Sequence, residues 1–229
     1  MVGAKGEKPK GMAAKPKCTM RILVICCVPE MMSGMASVAT EVRRALETKC
    51  RAHGHAPTVE VITRRDRGAC MAALAAVAGH LALPSTRAIV YYYGHGDQVR
   101  DRSGDEADGM DEVWSTQGIV DDELSALFSR IHDTSRLYMF SDSCSSGSML
   151  DTTNKRPWVA IGSARDSQDS LATSDGGAFT LWGLIPALGA PTNPTPRQLA
   201  ERIRAALDIE TQTCTLTAGN ARVADEPMF

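Results

Sequence analysis

The sequence has none of the features that mark a membrane protein, a zinc protein or a nucleic-acid-binding protein. No apolar run approaches the roughly 18 residues of a membrane span, and the chain does not open with the apolar stretch of a secretory signal. The seven cysteines include no CxxC pair and no Cys/His spacing of a zinc site. The net charge of −2 gives no general attraction to nucleic acid or to an anionic membrane. We therefore expect a cytoplasmic protein that binds neither.

Length and composition predict one folded domain behind a short tail. A chain of 229 residues, 43% of them apolar, is long enough to bury a core. Residues 1–17 carry five lysines and one glutamate and show no apolar periodicity. We therefore predict a disordered basic tail over residues 1–19 and a single domain over residues 20–229.

Segments with the apolar spacing of strands alternate with segments of helical spacing. MRILVICCV at 20–28 is typical of a strand that is covered on both faces, and Thr195 with Gln198 forms a capping box at the start of the helix 195–210. The alternation predicts an α/β fold, with a mostly parallel sheet, helices on both faces and an acidic loop that ends near residue 118. The other predicted strands are 57–65, 86–93, 135–142, 157–164 and 213–218, and the other predicted helices are 37–50, 68–83, 120–132 and 176–188, the last with a late kink at Pro186.

Two short polar segments follow predicted strands, and each contains a residue with catalytic chemistry. YYYGHGDQVR (91–100) carries His95, and SDSCSSG (141–147) carries Cys144. Because the carboxyl ends of parallel strands lie at one edge of a sheet, we expect the two side chains to meet there. A histidine within hydrogen-bond reach of a cysteine can take the thiol proton and return it to a leaving amine. The alternative is a loop histidine and an unrelated buried thiol.

Small residues beside this pair favour the catalytic interpretation. Gly94 and Gly96 would leave room for a substrate backbone beside the imidazole, and a backbone N–H near Cys144 would help to stabilise an oxyanion. The other six cysteines stand in the tail or at positions where a cysteine acts as a small apolar core residue. The sequence therefore predicts a nucleophilic Cys–His site.

The segments around these residues resemble those of the metacaspases, the caspase-like cysteine peptidases of plants, fungi, protists and bacteria. The similar segments, spread in order over roughly residues 20–220, are YYYGHGDQVRDRSGDEADGMDE, GIVDDELSALF, DSCSSGSMLD, GSARDSQDSLAT and GGAFT. The resemblance implies a caspase-like three-layer sandwich with a large-subunit-like part (20–152) and a small-subunit-like part (157–229). It further implies a cysteine endopeptidase that cleaves protein or peptide substrates after Arg or Lys, and we expect it to be a monomer.

The resemblance also implies roles for individual residues. His95 would be the general base and acid, Cys144 the nucleophile that forms an acyl-enzyme, and the backbone N–H groups of Gly96 and Cys144 the oxyanion hole. Asp142 matches the acid that lines the pocket for a basic side chain, and a desolvated carboxylate suits a guanidinium. A turn cap at the strand end is the alternative for Asp142. If the protein cleaves after basic residues, we expect self-cleavage after Lys155, in the segment TTNKRPW.

Ten acidic residues lie between positions 97 and 123. They do not form an EF-hand, because Glu106 stands where that loop needs glycine and the flanking helices are missing. The ligands of calcium-dependent metacaspases match Asp111, Asp121, Asp122 and Asp151. We therefore expect Ca²⁺ to bind weakly at these four aspartates and to activate the protein; solvated loop charge is the alternative.

Three departures from the family pattern bear on activity. The loop VPEMMSGMASV lacks the aspartate that forms a second wall of the basic pocket, Tyr93 replaces a small serine, and Ser145 replaces the histidine that commonly follows the nucleophile. An inactive homologue that acts as a binding module or decoy is therefore an alternative. A caspase-like hydrolase that prefers acidic residues is a second alternative, and the charge of Asp142 argues against it.

Overall fold

The computed structural model describes residues 18–27, 35–63, 65–104, 106, 108–207 and 211–229. In chain order, the strands are β1 (Thr19–Cys27), β2 (Ala56–Ile62), β3 (Arg87–Gly94), β4 (Gly96–Arg100), β5 (Met110–Trp114), β6 (Ile119–Val120), β7 (Arg136–Asp142), β8 (Trp158–Gly162) and β9 (Thr217–Ala218). The α-helices are α1 (Met35–Ala52), α2 (Arg67–Leu81), α3 (Asp121–Leu127), α4 (Ile185–Gly189) and α5 (Pro196–Leu207). A π-helical segment (Phe179–Leu184) leads into α4, and 3-10 turns occupy Phe128–Arg130 and Ala221–Asp225.

Six strands form a central sheet in the order β2-β1-β3-β7-β8-β9. Every neighbouring pair is parallel except β8 with the short edge strand β9. The middle strands β3, β7 and β8 are buried along almost their whole length, as expected for apolar strands that are covered on both faces. The predicted α/β fold with a mostly parallel sheet is therefore confirmed.

Two apolar layers separate this sheet from helices on either side. Helices α1, α4 and α5 pack on one face, and α2 and α3 pack on the other. Helix α5 buries a stripe at helical spacing, and its start has the predicted capping box, in which Thr195 N–H donates to Gln198 Oε1 (3.1 Å) and Gln198 N–H donates to Thr195 Oγ1 (3.2 Å). The three-layer sandwich is confirmed.

The predicted acidic loop up to residue 118 is wrong, because β4, β5 and β6 form a separate antiparallel sheet there. The turn between β4 and β5 is closed by a carboxylate, since Asp101 accepts the N–H groups of Gly104 (2.7 Å) and Glu106 (3.2 Å). Acidic residues therefore build the turn of a hairpin whose apolar positions, such as Val113 and Trp114, are buried. The many acidic residues of this segment made it resemble a solvated loop, so its strands were not predicted from the sequence.

Smaller differences concern the ends of elements. The predicted strand 213–218 is reduced to Thr217–Ala218. The irregularity near Pro186 lies before the proline, because the π-helical turns precede it and Pro186 stands in the first turn of α4, where its missing N–H costs nothing. Residues 1–17 of the predicted tail and residues 28–34 lie outside the described residues, whereas Thr19 already belongs to β1. Within the described part, no helix is long and apolar enough to cross a membrane.

Candidate active site

His95 and Cys144 emerge side by side from the carboxyl edge of the central sheet. Tyr93 of β3 pairs with Asp142 of β7, so His95 and Cys144 each lie two residues beyond a paired position on adjacent parallel strands. Both residues line one cavity of about 140 Å³, and Asp142 lines it as well. The structure thus brings together the three residues that the sequence singled out for catalysis and substrate binding.

Gly96 allows the histidine loop to touch the cysteine loop, and Gly94 allows the end of β3 to pack closely on Tyr92 and Cys27. A side chain on Gly96 would overlap the carbonyl oxygen of Cys144, and a side chain on Gly94 would overlap the hydroxyl of Tyr92. Protein atoms therefore occupy the place of a side chain at both glycines, while Gly94 itself lines the cavity of His95 and Cys144; that the space there admits a substrate backbone stays a prediction. The contact nevertheless holds Gly96 against Cys144, the two residues whose N–H groups are predicted to bind an oxyanion.

Hydrogen bonds to the backbone fix the histidine loop, while the His95 side chain is exposed. The His95 carbonyl accepts the Tyr92 hydroxyl (2.9 Å) and the Ser115 N–H (3.0 Å). The Tyr92 ring stacks on Trp114 of β5, with centroids 4.2 Å apart, and Trp114 Nε1 donates to Ser141 Oγ of β7 (3.1 Å). The hairpin that sequence reasoning missed therefore ties the histidine loop to the cysteine strand.

Cys144 is half-buried, and its surroundings oppose ionisation. Burial raises the pKa of the Cys144 thiol, and the nearby Asp169 carboxylate acts in the same direction. The N–H of Ser170 donates to Cys144 Sγ at 3.3 Å and has the opposite effect on the pKa. The next residue, Ser145, has a φ of 45°, which is strained for a residue with a side chain. The sulfur is therefore a protonated thiol near neutral pH until a base removes its proton.

Asp142 is a buried carboxyl at the wall of the same cavity. It accepts hydrogen bonds from Thr180 N–H (3.1 Å), Thr180 Oγ1 (2.6 Å) and Ser170 Oγ (3.0 Å), and it fills the place of a side chain on Gly177. Burial raises the pKa of Asp142 to about 6, although these hydrogen bonds lower it. All of these donors belong to later parts of the chain and none to the turn after β7, which argues against the turn-cap alternative.

Several residues of this site were not identified from the sequence as functional. Ser170 and Thr180 come from the segments GSARDSQDSLAT and GGAFT, which carried the family resemblance without individual roles. Tyr91 of β3 lies behind them, and its hydroxyl contacts Thr180 Oγ1 at 2.6 Å. Tyr93 is buried and lines the cavity, as expected for a phenol that narrows the pocket, and burial raises its pKa to about 12. The sequence indicated Ser170 and Thr180 only through the family resemblance of the two segments that contain them.

A second cluster of carboxyl groups lies between β5 and the start of α3. Oxygens of Glu106, Glu112 and Asp121 lie within 4.8 Å of one another. Glu112 and Asp121 are buried, and burial raises the pKa of Glu112 to about 8 and that of Asp121 to about 6. Oxygens that bind one Ca²⁺ at 2.3–2.6 Å are up to about 5 Å apart, so this set has the donor type and spacing for calcium.

The four aspartates predicted to bind calcium do not all belong to this cluster. Asp121 does, and Asp111 lies near enough to raise its pKa further. Asp111 and Asp122 line the same surface hollow, beside the cluster. Asp151 lies beside the later part of α3, because its N–H donates to Ser125 Oγ (2.8 Å), and its carboxylate accepts the Thr153 N–H (2.7 Å). Of the four predicted aspartates, Asp121 belongs to this cluster, and the other two members of the cluster are glutamates; the four-aspartate set stays a prediction.

Lys155 lies at the opposite edge of the sheet from Cys144. It is exposed, and it precedes β8 by three residues, so it lies at the amino edge of that strand. Pro157 accepts the N–H of Leu137 near the start of β7 (3.1 Å), whereas Cys144 follows the end of β7. The length of β7, seven residues, separates the two positions.

The fold is shared with a caspase of known structure. Caspase-1 from Spodoptera frugiperda superimposes with a TM-score of 0.63 at 13% identity, covering 96% of this chain and 97% of that chain. A structural-genomics protein from Geobacter sulfurreducens superimposes with a TM-score of 0.64 at 23% identity, covering 89% of this chain and 94% of that chain. These similarities show the caspase-like fold.

Sequence comparison shows similarity to one family over part of the chain. Residues 45–153 match the family model described as "Metacaspase, peptidase C14 domain". Metacaspase-1 of Saccharomyces cerevisiae is 42% identical over 77 residues, which cover 31% of this chain and 18% of that protein. Metacaspase-1 of Kluyveromyces lactis is 35% identical over 125 residues, which cover 43% of this chain and 29% of that protein. Residues 45–153 are thus similar to the peptidase domain of the metacaspases, and the chain spans less than a third of the length of these curated relatives.

Proposed function

We propose that this protein is a cysteine endopeptidase in which Cys144 is the nucleophile and His95 is the general base and acid. The observation that carries the proposal is the single cavity that both residues line, at adjacent strand ends of a caspase-like sheet. The raised pKa of the half-buried Cys144 thiol means that a base must remove its proton, and the exposed imidazole of His95 at the same cavity is suited to do so.

The reaction proceeds through an acyl-enzyme. The Cys144 sulfur attacks the scissile carbonyl carbon while His95 takes the thiol proton, and the carbonyl electron pair moves onto oxygen, which faces the N–H groups of Gly96 and Cys144. Collapse of this intermediate expels the amine, which receives its proton from His95. Water then cleaves the thioester, with His95 as base, and restores the thiol.

Asp142 supports a preference for Arg or Lys at the cleaved position. Its carboxyl lies in the wall of the cavity that holds the nucleophile, away from water, where an ion pair with a guanidinium is strong. Ser170 and Thr180 donate hydrogen bonds to it and orient it. A preference for acidic side chains would place two carboxylates together in a buried site.

Calcium is the cofactor that we propose, at the acidic cluster beside α3. Asp121 belongs both to the four aspartates of the family resemblance and to the cluster with Glu106 and Glu112. The raised pKa values of buried Glu112 and Asp121 reflect negative charge held away from water, which a bound cation would offset. Ca²⁺ would supply the compensating positive charge and hold β5 against α3.

One experiment tests the peptidase function. Fluorogenic peptides that end in Arg, Lys or Asp would be assayed with and without millimolar calcium on the wild type, Cys144→Ala and His95→Ala. We expect turnover of the Arg and Lys peptides only, no turnover by Cys144→Ala, and a loss of about 10²–10⁴-fold in His95→Ala. Equal turnover by the wild type and Cys144→Ala would remove Cys144 from the mechanism. A wild type that binds these peptides without cleaving them would support a decoy instead.

A further inference from the structure

Ser170 contacts both the nucleophile and the acid of the proposed substrate pocket. Its backbone N–H donates to Cys144 Sγ at 3.3 Å, and its hydroxyl donates to Asp142 Oδ1 at 3.0 Å. One residue thus makes both hydrogen bonds, which links the sulfur of Cys144 to the carboxyl of Asp142.

The segment that contains Ser170 is held from its other side. Gln212, which is 4% exposed, accepts the N–H of Leu171 at 2.9 Å, and its amide nitrogen lies 3.4 Å from Ser170 Oγ. Two residues earlier, the carbonyl of Gln168 accepts the N–H of Ser145 at 3.0 Å. The segment is thus anchored at both ends, and the hydroxyl of Ser170 is its direct link to Asp142.

The hydrogen bond from the Ser170 N–H to sulfur lowers the pKa of the Cys144 thiol, whereas burial and Asp169 raise it. Burial and Asp169 disfavour the thiolate, while His95 faces the same cavity and Tyr93 and Asp142 line its wall. An N–H that points at sulfur stabilises the thiolate more than the thiol, because a hydrogen bond to a charged acceptor is stronger. The position of the Ser170 N–H therefore affects how readily Cys144 reacts.

We propose that Ser170 is a positioning residue: its hydroxyl, anchored on Asp142, holds its N–H against the sulfur of Cys144, so that the charge state of Asp142 is transmitted to the nucleophile. The link to a substrate rests on the proposed function. A guanidinium in the pocket keeps Asp142 ionised, the ionised carboxylate binds the Ser170 hydroxyl more strongly, and the N–H is then held more firmly at the sulfur. By thermodynamic linkage, formation of the thiolate favours guanidinium binding to the same extent.

The first test is the pH profile of Cys144 alkylation by iodoacetamide, followed by mass spectrometry of the peptide that contains Cys144. In Ser170→Ala we expect the profile to move to higher pH and the rate at pH 7 to fall about three- to tenfold, which is the effect of weakening one hydrogen bond to a charged atom. Ser170→Thr keeps the hydroxyl and should restore the profile, and Ser167→Ala, at an exposed serine of the same loop, is the matched control. An unchanged profile in a folded Ser170→Ala protein would overturn the proposal.

The second test uses butylguanidinium as a pocket ligand and butylurea as its uncharged counterpart. Butylguanidinium should accelerate alkylation of the wild type severalfold, butylurea should not, and Ser170→Ala should not respond. An equal response in the wild type and Ser170→Ala would overturn the coupling. If butylguanidinium has no effect while the pH profile of Ser170→Ala is shifted, the positioning role stands and the proposed basic pocket fails.

Discussion

At the scale of single residues, the buried carboxyl of Asp142 is the group on which the proposed selectivity of the site depends. Its pKa is raised from 3.8 to about 6 by burial, so its charged form is disfavoured in the folded protein. Because the folded pKa lies above the unfolded one, this group contributes stability below pH 3.8 that is lost as the pH rises to about 6. A guanidinium that enters the pocket offsets this loss, which is a physical reason for preferring a basic side chain.

We predict that selectivity for arginine depends on pH through this carboxyl. The ratio of kcat/KM for an Arg substrate to that for a matched citrulline substrate should rise as the pH rises through about 6 and level off above it. Citrulline has almost the shape of Arg but no charge, so the ionisation of His95 and Cys144 cancels in the ratio. Asp142→Asn should give a low ratio at every pH. A ratio that stays high in Asp142→Asn would contradict the assignment of Asp142 to the pocket.

Thr180 offers a second prediction at this scale, because its hydroxyl lies between Asp142 and Tyr91. Thr180→Val keeps the shape but removes a donor to the carboxylate, so the pKa of Asp142 should rise and the selectivity midpoint should move to higher pH. The lost hydrogen bond should lower the free energy of unfolding by about 1–3 kcal/mol, measured by urea denaturation. Thr180→Ser retains the hydroxyl and should keep the midpoint of the wild type. Identical midpoints in all three proteins would show that Thr180 does not act on Asp142.

At the scale of elements, the sequence predicted the parallel strands well and the β4–β6 hairpin sheet not at all. Long apolar runs such as 20–28 have few other stable arrangements, and the two residues predicted to be catalytic follow the ends of such strands. The hairpin strands, by contrast, are short, and the turn at Asp101 is built from acidic side chains that resemble a solvated loop. Periodicity does not reveal contacts between segments far apart in sequence, which is why the bonds of Ser170 to Cys144 and Asp142 were also missed.

The acidic cluster between β5 and α3 yields a prediction that separates the two proposed ligand sets. Calcium should raise the melting temperature of the wild type, because an ion that binds only the folded state stabilises it by mass action. Glu112→Gln should lose most of this increase if the observed cluster binds the ion, whereas Asp151→Asn should keep it. Asp175→Asn, at an exposed aspartate elsewhere, controls for the loss of one negative charge. The reverse pattern, in which Asp151→Asn alone abolishes the increase, would favour the four aspartates of the family resemblance.

At the scale of the whole molecule, the site is assembled from both parts of the chain. His95 and Cys144 come from the part before Lys155, and Ser170 and Thr180 come from the part after it. The pairing of β7 with β8 in the middle of the sheet joins the two parts independently of the connecting segment. Cleavage of that segment would therefore leave the site intact.

The same geometry decides how such a cleavage would occur. Lys155 lies at the amino edge of the sheet and Cys144 at the carboxyl edge, roughly 23 Å apart for a strand of seven residues. No molecule can therefore present its own Lys155 to its own Cys144 without unfolding.

We predict that self-cleavage is a reaction between molecules. The rate per molecule should rise with protein concentration, and wild type should cut Cys144→Ala after Lys155, as followed by gel electrophoresis and mass spectrometry. Lys155→Met should remain intact at this bond. A first-order rate that is independent of concentration, together with uncut Cys144→Ala, would contradict the prediction, because it requires the two edges of one sheet to meet.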